Sequence, residues 1–228
     1  MITNHDPSIA WAKLVAHASF DGNIHESPDK GARVRFYSTN RNHLEELKSL
    51  IKKEVGLVPY RNDAFEERGK LLLRYNNSNF TRKLISLGAV SGDKAIQEYR
   101  VPKWIREGNK EVKLSYIGAM IDDEAESITK IKKNTLRGLK IKQSKWVKHK
   151  DGLRVFLKDI KDICSSLGIQ TGTITIDEKH KYQREDGKET VAGWVRISLS
   201  KNNQKLLVKS LSSYSRKIKV ITDLTGWA

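Results

Sequence analysis

Two short segments of the sequence end in a carboxylate at a point where a helix is expected to stop. Residues 14–22 contain Asp21, and residues 117–125 contain Glu124, about half the chain further on. Both segments are compatible with a helix, and the two expected helices carry small side chains four positions apart, Ala12 and Ala16 in the first and Ser115 and Ala119 in the second, which allow two helix backbones to approach closely. We therefore expect two similar halves whose helices pair and bring the two acids side by side.

Two neighbouring carboxylates repel each other, and a divalent cation relieves that repulsion. Because the expected ligands are oxygen atoms, the pattern favours Mg²⁺ or Mn²⁺ over zinc. Such an ion activates a water molecule and stabilises the leaving oxygen of a phosphodiester. The alternative, that Asp21 and Glu124 are surface residues at two helix ends, stays open on these residues alone.

The composition favours a polyanionic partner. The 228 residues include 43 Lys and Arg against 27 Asp and Glu, a net charge of +16, and the pI is near 9.8. Because the basic residues are spread along the whole chain rather than beside an amphipathic anchor, nucleic acid is favoured over a membrane surface. A solvated basic surface without a specific partner is the alternative.

Several other chemistries and compartments are disfavoured. The single Cys164 cannot form an intramolecular disulfide and is expected to be buried in a helix. The sequence has no paired Cys or His motif for zinc and no glycine-rich loop for nucleotide phosphates. Since it also has no targeting segment or long apolar run, we expect an intracellular protein, cytoplasmic or nucleoid-associated, with no membrane partner.

The expected elements repeat along the chain. Apolar periodicity and capping residues predict the order helix, strand, strand, helix, strand, strand, helix in each half. We assign residues 1–100 to an N-terminal repeat, 101–110 to a linker and 111–228 to a C-terminal repeat of a monomer. This assignment includes a strand over 56–61 and a C-terminal tail after residue 211.

Together these features resemble the single-chain LAGLIDADG homing endonucleases. The first segment has the family's Asp-Gly ending at Asp21 and Gly22, and residues 116–125 match the form in which Glu124 is the final acid. Ala125 departs from the pattern, because a glycine usually follows the second acid. The resemblance covers most of the chain, since it extends to the order of helices and strands.

The resemblance implies an α+β fold. It consists of two pseudo-symmetric αββαββα repeats, with antiparallel sheets forming a DNA-binding saddle and paired motif helices at the centre. It also implies Mg²⁺-dependent cleavage of both DNA strands. The implied metal ligands are the side chains of Asp21 and Glu124 and the backbone carbonyls of Phe20 and Asp123.

Members of the family also use lysines beside the metal to stabilise charge at the scissile phosphate. Lys94, after the third helix of the first half, has a similar place in the sequence, and Lys217 is its counterpart in the second half. Gln143, at the end of an expected strand, is a candidate for orienting water. A chance match is an open alternative for all three residues.

Several expected strands alternate basic with apolar residues, which places the basic side chains on one face. Such a face can enter the major groove of DNA. The alternative is an edge strand that uses charge to avoid aggregation. The candidate DNA-binding residues are Arg33, Arg35, Arg74, Lys130, Lys132, Lys140, Lys142, Lys179, Lys181 and Arg196.

The sequence therefore predicts a site-specific endonuclease that cleaves double-stranded DNA with a divalent metal held at Asp21 and Glu124. Two alternatives remain on the same fold. One is a catalytically degenerate DNA-binding regulator, and the other is an RNA-binding cofactor that assists intron splicing.

Overall fold

The helices and strands of the computed structural model belong to two units, Met1–Gly92 and Asp93–Ala228. The structure describes residues 9–225 apart from residues 28, 30, 68, 133 and 134. Because the division falls between Gly92 and Asp93, residues 93–100, which we assigned to the first repeat, and the expected linker 101–110 lie in the second unit.

The first unit has the expected αββαββα order. Its helices are α1 (Ile9–Ser19), α2 (Arg41–Val55) and α3 (Ser78–Ser86), and its strands are β1 (Gly22–Ser27), β2 (Gly31–Tyr37), β3 (Phe65–Glu67) and β4 (Lys70–Tyr75). The strands form one antiparallel sheet in the order β1-β2-β4-β3.

Capping residues fix the helix ends of this unit as the sequence predicts. Asn40 Oδ1 accepts a hydrogen bond from the backbone N of Asn42 (2.9 Å) at the start of α2. Gly56 ends that helix with a φ of 71°, a left-handed conformation that glycine adopts without steric cost. Asn77 caps α3 by accepting from the backbone N of Phe80 (2.8 Å).

Helix α1 is the central core element of the first unit. All residues from 14 to 19 are buried, so the helix has no face left for solvent at this end. A helix that is apolar on all sides has to be surrounded by other elements. It contacts β1, β2, α2 and α3, and the sheet turns Val34, Phe36 and Leu73 inward as part of the same core.

The expected strand over residues 56–61 is wrong. A single turn of 3-10 helix, Tyr60–Asn62, occupies part of this segment, and the third strand begins only at Phe65. Pro59 has no backbone N–H to donate to a sheet. Arg61 and Asn62 have φ values of 63° and 58°, which are incompatible with extended backbone.

The second unit contains more elements than the first. Its helices are α4 (Lys103–Arg106), α5 (Lys110–Glu124), α6 (Lys150–Ser166), α7 (Lys201–Leu211) and α8 (Arg216–Thr225), and its strands are β5 (Thr129–Lys132), β6 (Thr135–Arg137), β7 (Lys140–Trp146), β8 (Thr175–Gln183) and β9 (Glu189–Arg196). The order β7-β9-β8 forms an antiparallel sheet, and β5 pairs only with β6.

Three of these elements, α4, β6 and α8, were not predicted. After α5 the chain makes one bridge, from Ala125 to Ile141, and then leaves the sheet to form the β5–β6 hairpin. It returns through Gly138, where an added Cβ would lie 2.5 Å from the carbonyl oxygen of Ser127. The expected C-terminal tail is wrong, because α8 occupies most of it.

The α+β class with antiparallel sheets is confirmed. The buried Cys164 lies in α6, as expected. Within the described residues, no helix is both long enough and apolar enough to cross a membrane.

Candidate functional site

The end of α1 presents Asp21 to solvent. Phe20 is buried and its backbone N still bonds to the carbonyl oxygen of Ala16 (2.9 Å), whereas Asp21 is exposed. At the next position, a Cβ on Gly22 would lie 2.6 Å from Cα of Ala18. Only glycine fits there, so the Asp-Gly ending has a steric cause: the strand must leave the helix end at close range.

The end of α5 presents Glu124 in a similar way, but with a lysine beside it. Glu124 is the last residue of a helix that is buried from Leu114 to Asp122. Ala125 is extended, with φ −80° and ψ 144°, so a side chain is tolerated where the first unit needs glycine. The Lys217 ammonium donates to the carbonyl oxygen of Ala125 (2.5 Å). The structure therefore brings Lys217 to the helix end that carries Glu124.

Asp122 anchors the start of α8. Its carboxylate accepts hydrogen bonds from the Ser215 hydroxyl (2.7 Å) and from the backbone N of Arg216 and Lys217 (3.0 Å each). Burial alone would raise the pKa of Asp122, but these hydrogen bonds keep the pKa below its usual value. The carboxylate thus satisfies amides of the first helical turn and holds Lys217 in place.

The corresponding position in the first unit is Ser19, which also lies two residues before the acid. Its buried hydroxyl accepts one hydrogen bond, from the backbone N of Val90 (3.2 Å). Val90 follows α3, just as Arg216 follows α7. In the first unit, the chain after α3 is therefore hydrogen-bonded to the end of α1. In the second unit, the chain after α7 is hydrogen-bonded to the end of α5.

Gln143 and Lys94 do not lie where the sequence placed them. Gln143 is in the middle of β7 rather than at a strand end, and its Oε1 accepts from the Tyr99 hydroxyl (3.2 Å). Burial, and then the negative charge of Glu124, raises the pKa of Tyr99, so this pair lies within electrostatic range of the α5 end. Lys94 lies in the 3-10 turn Lys94–Ile96, which belongs to the second unit and not to the end of the first.

One buried lysine was missed by the sequence analysis. Lys145 is 1% exposed, and its ammonium donates to the carbonyl oxygens of Lys94 and Gln97, the latter at 3.0 Å. The ammonium also lies 3.5 Å from the centroid of the Tyr99 ring. Burial lowers the pKa of Lys145 to about 7. Strand alternation was the available signal, since it places Lys145 on the same inward side as Gln143.

The outer face of the first sheet carries the predicted arginines. Arg33 and Arg35 alternate with the buried Val34, and Arg35 lies directly opposite Arg74 in the β2–β4 register. An ion pair of 3.8 Å connects Arg35 with Glu67.

The outer face of the second sheet repeats this arrangement. Lys140 lies directly opposite Arg196 in the β7–β9 register, and the exposed Lys142 lies opposite Trp194. Lys140 forms an ion pair with Glu126. Like charges that face each other across two strands destabilise a sheet. Both units keep such a pair: Arg35 and Arg74 lie on the two middle strands of the first sheet, and Lys140 and Arg196 lie on the edge strand β7 and the middle strand β9 of the second.

The remaining basic candidates lie outside the strand pairs β2–β4 and β7–β9. Lys130 is exposed on the β5–β6 hairpin, whereas the Lys132 side chain lies outside what the structure describes. Lys179 and Lys181 are exposed, but they occupy an irregular stretch of β8 between Asp177 and Tyr182 and do not alternate across a regular sheet. Lys181 pairs with Glu189 (3.2 Å). These two lysines therefore lie on a part of β8 that is not regularly paired with β9.

The fold defines the class: the chain has the fold of the LAGLIDADG homing endonucleases. The homing endonuclease I-WcaI bound to its DNA recognition sequence superposes with a TM-score of 0.52 at 10% identity, covering 95% of this chain and 87% of that one. Full-length DUF199/WhiA from Thermatoga maritima superposes with a TM-score of 0.50 at 11% identity, covering 99% and 62%. At these identities the likeness shows the fold alone.

No family model matches the chain. The tRNA-splicing ligase RtcB of Pyrococcus furiosus is 29% identical over 188 residues, which are 76% of this chain and 19% of the ligase. The Replication factor C small subunit of Methanocaldococcus jannaschii is 28% identical over 171 residues, 71% of this chain and 9% of that protein. The chain thus spans about a fifth or less of the length of these curated relatives.

Proposed function

We propose that the chain is a site-specific endonuclease that cleaves double-stranded DNA with a divalent cation. One recurring arrangement carries the proposal. In each unit, a carboxylate lies at the C-terminal end of a buried helix, and two neighbouring strands of the antiparallel sheet carry two cations at directly opposite positions. The carboxylate suits metal-assisted phosphodiester chemistry, and the paired cations suit the phosphates and base edges of DNA.

Asp21 and Glu124 are the proposed metal-binding side chains, with the carbonyl oxygens of Phe20 and Asp123. The residues fit Mg²⁺ or Mn²⁺ because all four donors are oxygen atoms. The C-terminal end of a helix, where both acids lie, also favours a cation. When bound, the metal would supply Lewis-acid stabilisation of a phosphoryl oxygen and a more acidic water.

Three further side chains are assigned to the same reaction. The Lys217 ammonium, which lies against Ala125, is proposed to stabilise charge at the scissile phosphate. Gln143, in contact with Tyr99, is proposed to orient the attacking water. Lys94 is kept as a weaker candidate, because its carbonyl oxygen is bound by Lys145 and this turn lies in the second unit.

Duplex DNA is the proposed partner of both outer faces. Arg33, Arg35 and Arg74 represent the first unit. Their counterparts in the second unit are Lys140, Lys142 and Arg196, and Lys130, Lys132, Lys179 and Lys181 extend its surface. We propose a monomer that contacts the DNA with both units. Intron RNA is the partner that a splicing cofactor on this fold would use.

The two sequence relatives have different names, which supports a function for this chain that is separate from both named activities. A ligase and a replication factor subunit match the same chain over a small part of their own lengths. A stretch that occurs in two proteins with different names is a poor candidate for either named activity. We therefore propose that this chain carries a function of its own and is neither a ligase nor a replication factor.

Cleavage of a plasmid library with Mg²⁺ tests the proposal. Asp21→Asn and Glu124→Gln keep the size of each side chain but remove its charge. Because losing even an outer partner of a metal ligand costs about 10- to 100-fold, each substitution should lower cleavage by ~100-fold or more while DNA binding survives. Asp29→Asn and Glu111→Gln are matched controls, since both acids are exposed and neither lies at the C-terminal end of α1 or α5; Glu111 is in the first turn of α5.

Two outcomes would reject the endonuclease. Wild-type protein that binds a defined duplex but never cuts it would leave the DNA-binding regulator. Preference for folded RNA over every duplex in the same gel-shift would leave the splicing cofactor. Asp21→Asn and Glu124→Gln variants that cut at the wild-type rate would show that these acids only end their helices.

A further inference from the structure

Two arginines of the first unit are held against aromatic rings on the outer face of the sheet. The Arg74 guanidinium carbon lies 3.9 Å from the centroid of the Tyr60 ring and 5.6 Å from that of Phe65. Arg61 lies 4.9 Å from the Phe65 centroid and 5.5 Å from that of Tyr60. We call these four residues the arginine–aromatic cluster. Such contacts fix the plane of a guanidinium group and leave its N–H edge available.

Arg74 is bound differently from its cross-strand neighbour. Arg35 has Glu67 at 3.8 Å, whereas no carboxylate in the described part of the chain lies within ion-pair distance of Arg74. Its Nε, like those of Arg33 and Arg35, is buried and has no hydrogen-bond partner among the described residues, so the contact with the aromatic rings is what sets Arg74 apart. A buried donor without an acceptor costs about 1–3 kcal/mol. The rings therefore hold a charged fork whose hydrogen-bond donors have no acceptor among the residues that the structure describes.

Contacts within the first unit hold the turn that carries Tyr60. Arg61 and Asn62 are both left-handed, with φ values of 63° and 58°, and the backbone N of Asn62 bonds to the Pro59 carbonyl oxygen (2.9 Å). Asp63 then ties the turn to α2, because its carboxylate accepts from the Lys48 ammonium (3.2 Å). Strained backbone of this kind persists where the surroundings enforce it, and it is concentrated at binding sites.

We propose that Arg74 reads one guanine in the major groove of the DNA target and that Tyr60 is its positioning residue. This inference rests on the proposed DNA-binding function. A planar, pre-oriented guanidinium matches the O6 and N7 acceptors of guanine with two parallel hydrogen bonds. Stacking of an unpaired base on Tyr60 is the less favoured alternative, because Arg74 already covers a face of that ring.

Selection of binding sites from a randomised duplex library tests this inference independently of cleavage. The selection is done by binding alone, in metal-free buffer, so a protein that never cuts DNA can still give the result. Wild-type protein should prefer guanine at one base pair within the contacts of the first unit. Arg74→Lys keeps the charge but loses the fork, so discrimination at that base pair should fall by roughly 10- to 100-fold. The salt dependence of binding should not change, because the number of cations is the same.

Substitutions at Tyr60 separate positioning from charge. Tyr60→Phe keeps the ring face under Arg74 and should keep the guanine preference. Tyr60→Leu removes the ring and should lose the preference at the same base pair as Arg74→Lys. Tyr182→Leu is the matched control, because Tyr182 is exposed and has no cation over its ring among the described residues.

The possible results have distinct meanings. An unchanged guanine preference in Arg74→Lys, or an equal loss of affinity for all sequences, would overturn the inference even if the protein cuts DNA. Tighter binding to the selected site when that one base pair is replaced by an unpaired base, if it depends on Tyr60 but not on Arg74, would overturn it as well. A guanine preference that depends on both residues in a protein that does not cut would support the inference and reject the endonuclease.

Discussion

The two units anchor the ends of their motif helices with different chemistry. In the first unit, the neutral Ser19 accepts one hydrogen bond from the chain after α3. In the second, the charged Asp122 accepts from three residues at the start of α8. Both side chains accept hydrogen bonds from a later segment of their own unit. Only the negative charge of Asp122 also favours the N-terminal end of a new helix. We infer from the comparison that the charge of Asp122 helps the following segment to form a helix.

The sheets differ as well, yet they keep the same central feature. Strand β1 pairs with β2 over its whole length, from Gly22 to Ser27. In the second unit, the corresponding chain leaves the sheet after Ala125 and forms a separate hairpin. Both units still place two cations at directly opposite positions on two neighbouring strands, β2 and β4 in the first and β7 and β9 in the second. The edges of the repeat have diverged, whereas the pair proposed to contact DNA has not.

The largest expected effect on stability comes from replacing Asp122 by serine, the residue type at the corresponding position of the first unit. Asp122→Ser removes a buried carboxylate that satisfies backbone amides, so the free energy of unfolding of the second unit should fall by about 2–3 kcal/mol. Amide hydrogens throughout α8 should exchange faster in the Asp122→Ser variant than in the wild-type protein. Asp223→Ser is the control, because it changes the same charge on the exposed side of α8. If α8 keeps its protection in Asp122→Ser, the charge is not what starts the helix.

The buried lysine of the second unit predicts a pH effect of intermediate size. Its pKa is lowered from 10.5 to about 7, so between these values the unfolded chain holds more protons than the folded protein. Raising the pH through this window should therefore stabilise the fold, by at most about 1.4 kcal/mol per pH unit. Denaturant titrations at several pH values measure this slope.

Two variants assign the slope to its source. Lys145→Met keeps an unbranched side chain one atom shorter, without the titratable group, and should abolish the rise in stability above pH about 7. Lys142→Met, on the outer side of the same strand, should keep it. An equal slope in both variants would assign the pH dependence to other groups.

The smallest effect is expected at the first anchor. Ser19→Ala leaves the backbone N of Val90 without its acceptor and should cost about 1 kcal/mol of unfolding free energy. Ser49→Ala, at an exposed position of α2, should be neutral or slightly stabilising because alanine favours helix. A loss from Ser19→Ala as large as that from Asp122→Ser would contradict the ranking of a neutral against a charged anchor.

The elements that depend on local chemistry could be predicted from the sequence. Asn40, Gly56 and Asn77 mark the ends of α2 and α3 because a cap acts within a few residues. Helix α8 could not be predicted in the same way. Its anchor Asp122 is distant in the sequence from Arg216, so no local window contains both partners.

The candidate site shows the same division. The acids Asp21 and Glu124 could be located because each ends a recognisable helix, and their convergence stays a prediction. Lys217 could be proposed from its place after the last expected helix. Lys145 could not be recognised without the register of β7, which decides that its side chain points inward beneath the turn at Lys94.

The cross-strand cation pairs give ionic strength two opposite effects on this protein. Within the free protein, salt screens the repulsion between Arg35 and Arg74 and between Lys140 and Arg196, so the folded state gains stability. In a complex with a polyanion, the same salt competes with the contacts that these residues make. The melting temperature of the free protein should therefore rise over the range of salt in which its nucleic-acid complex dissociates.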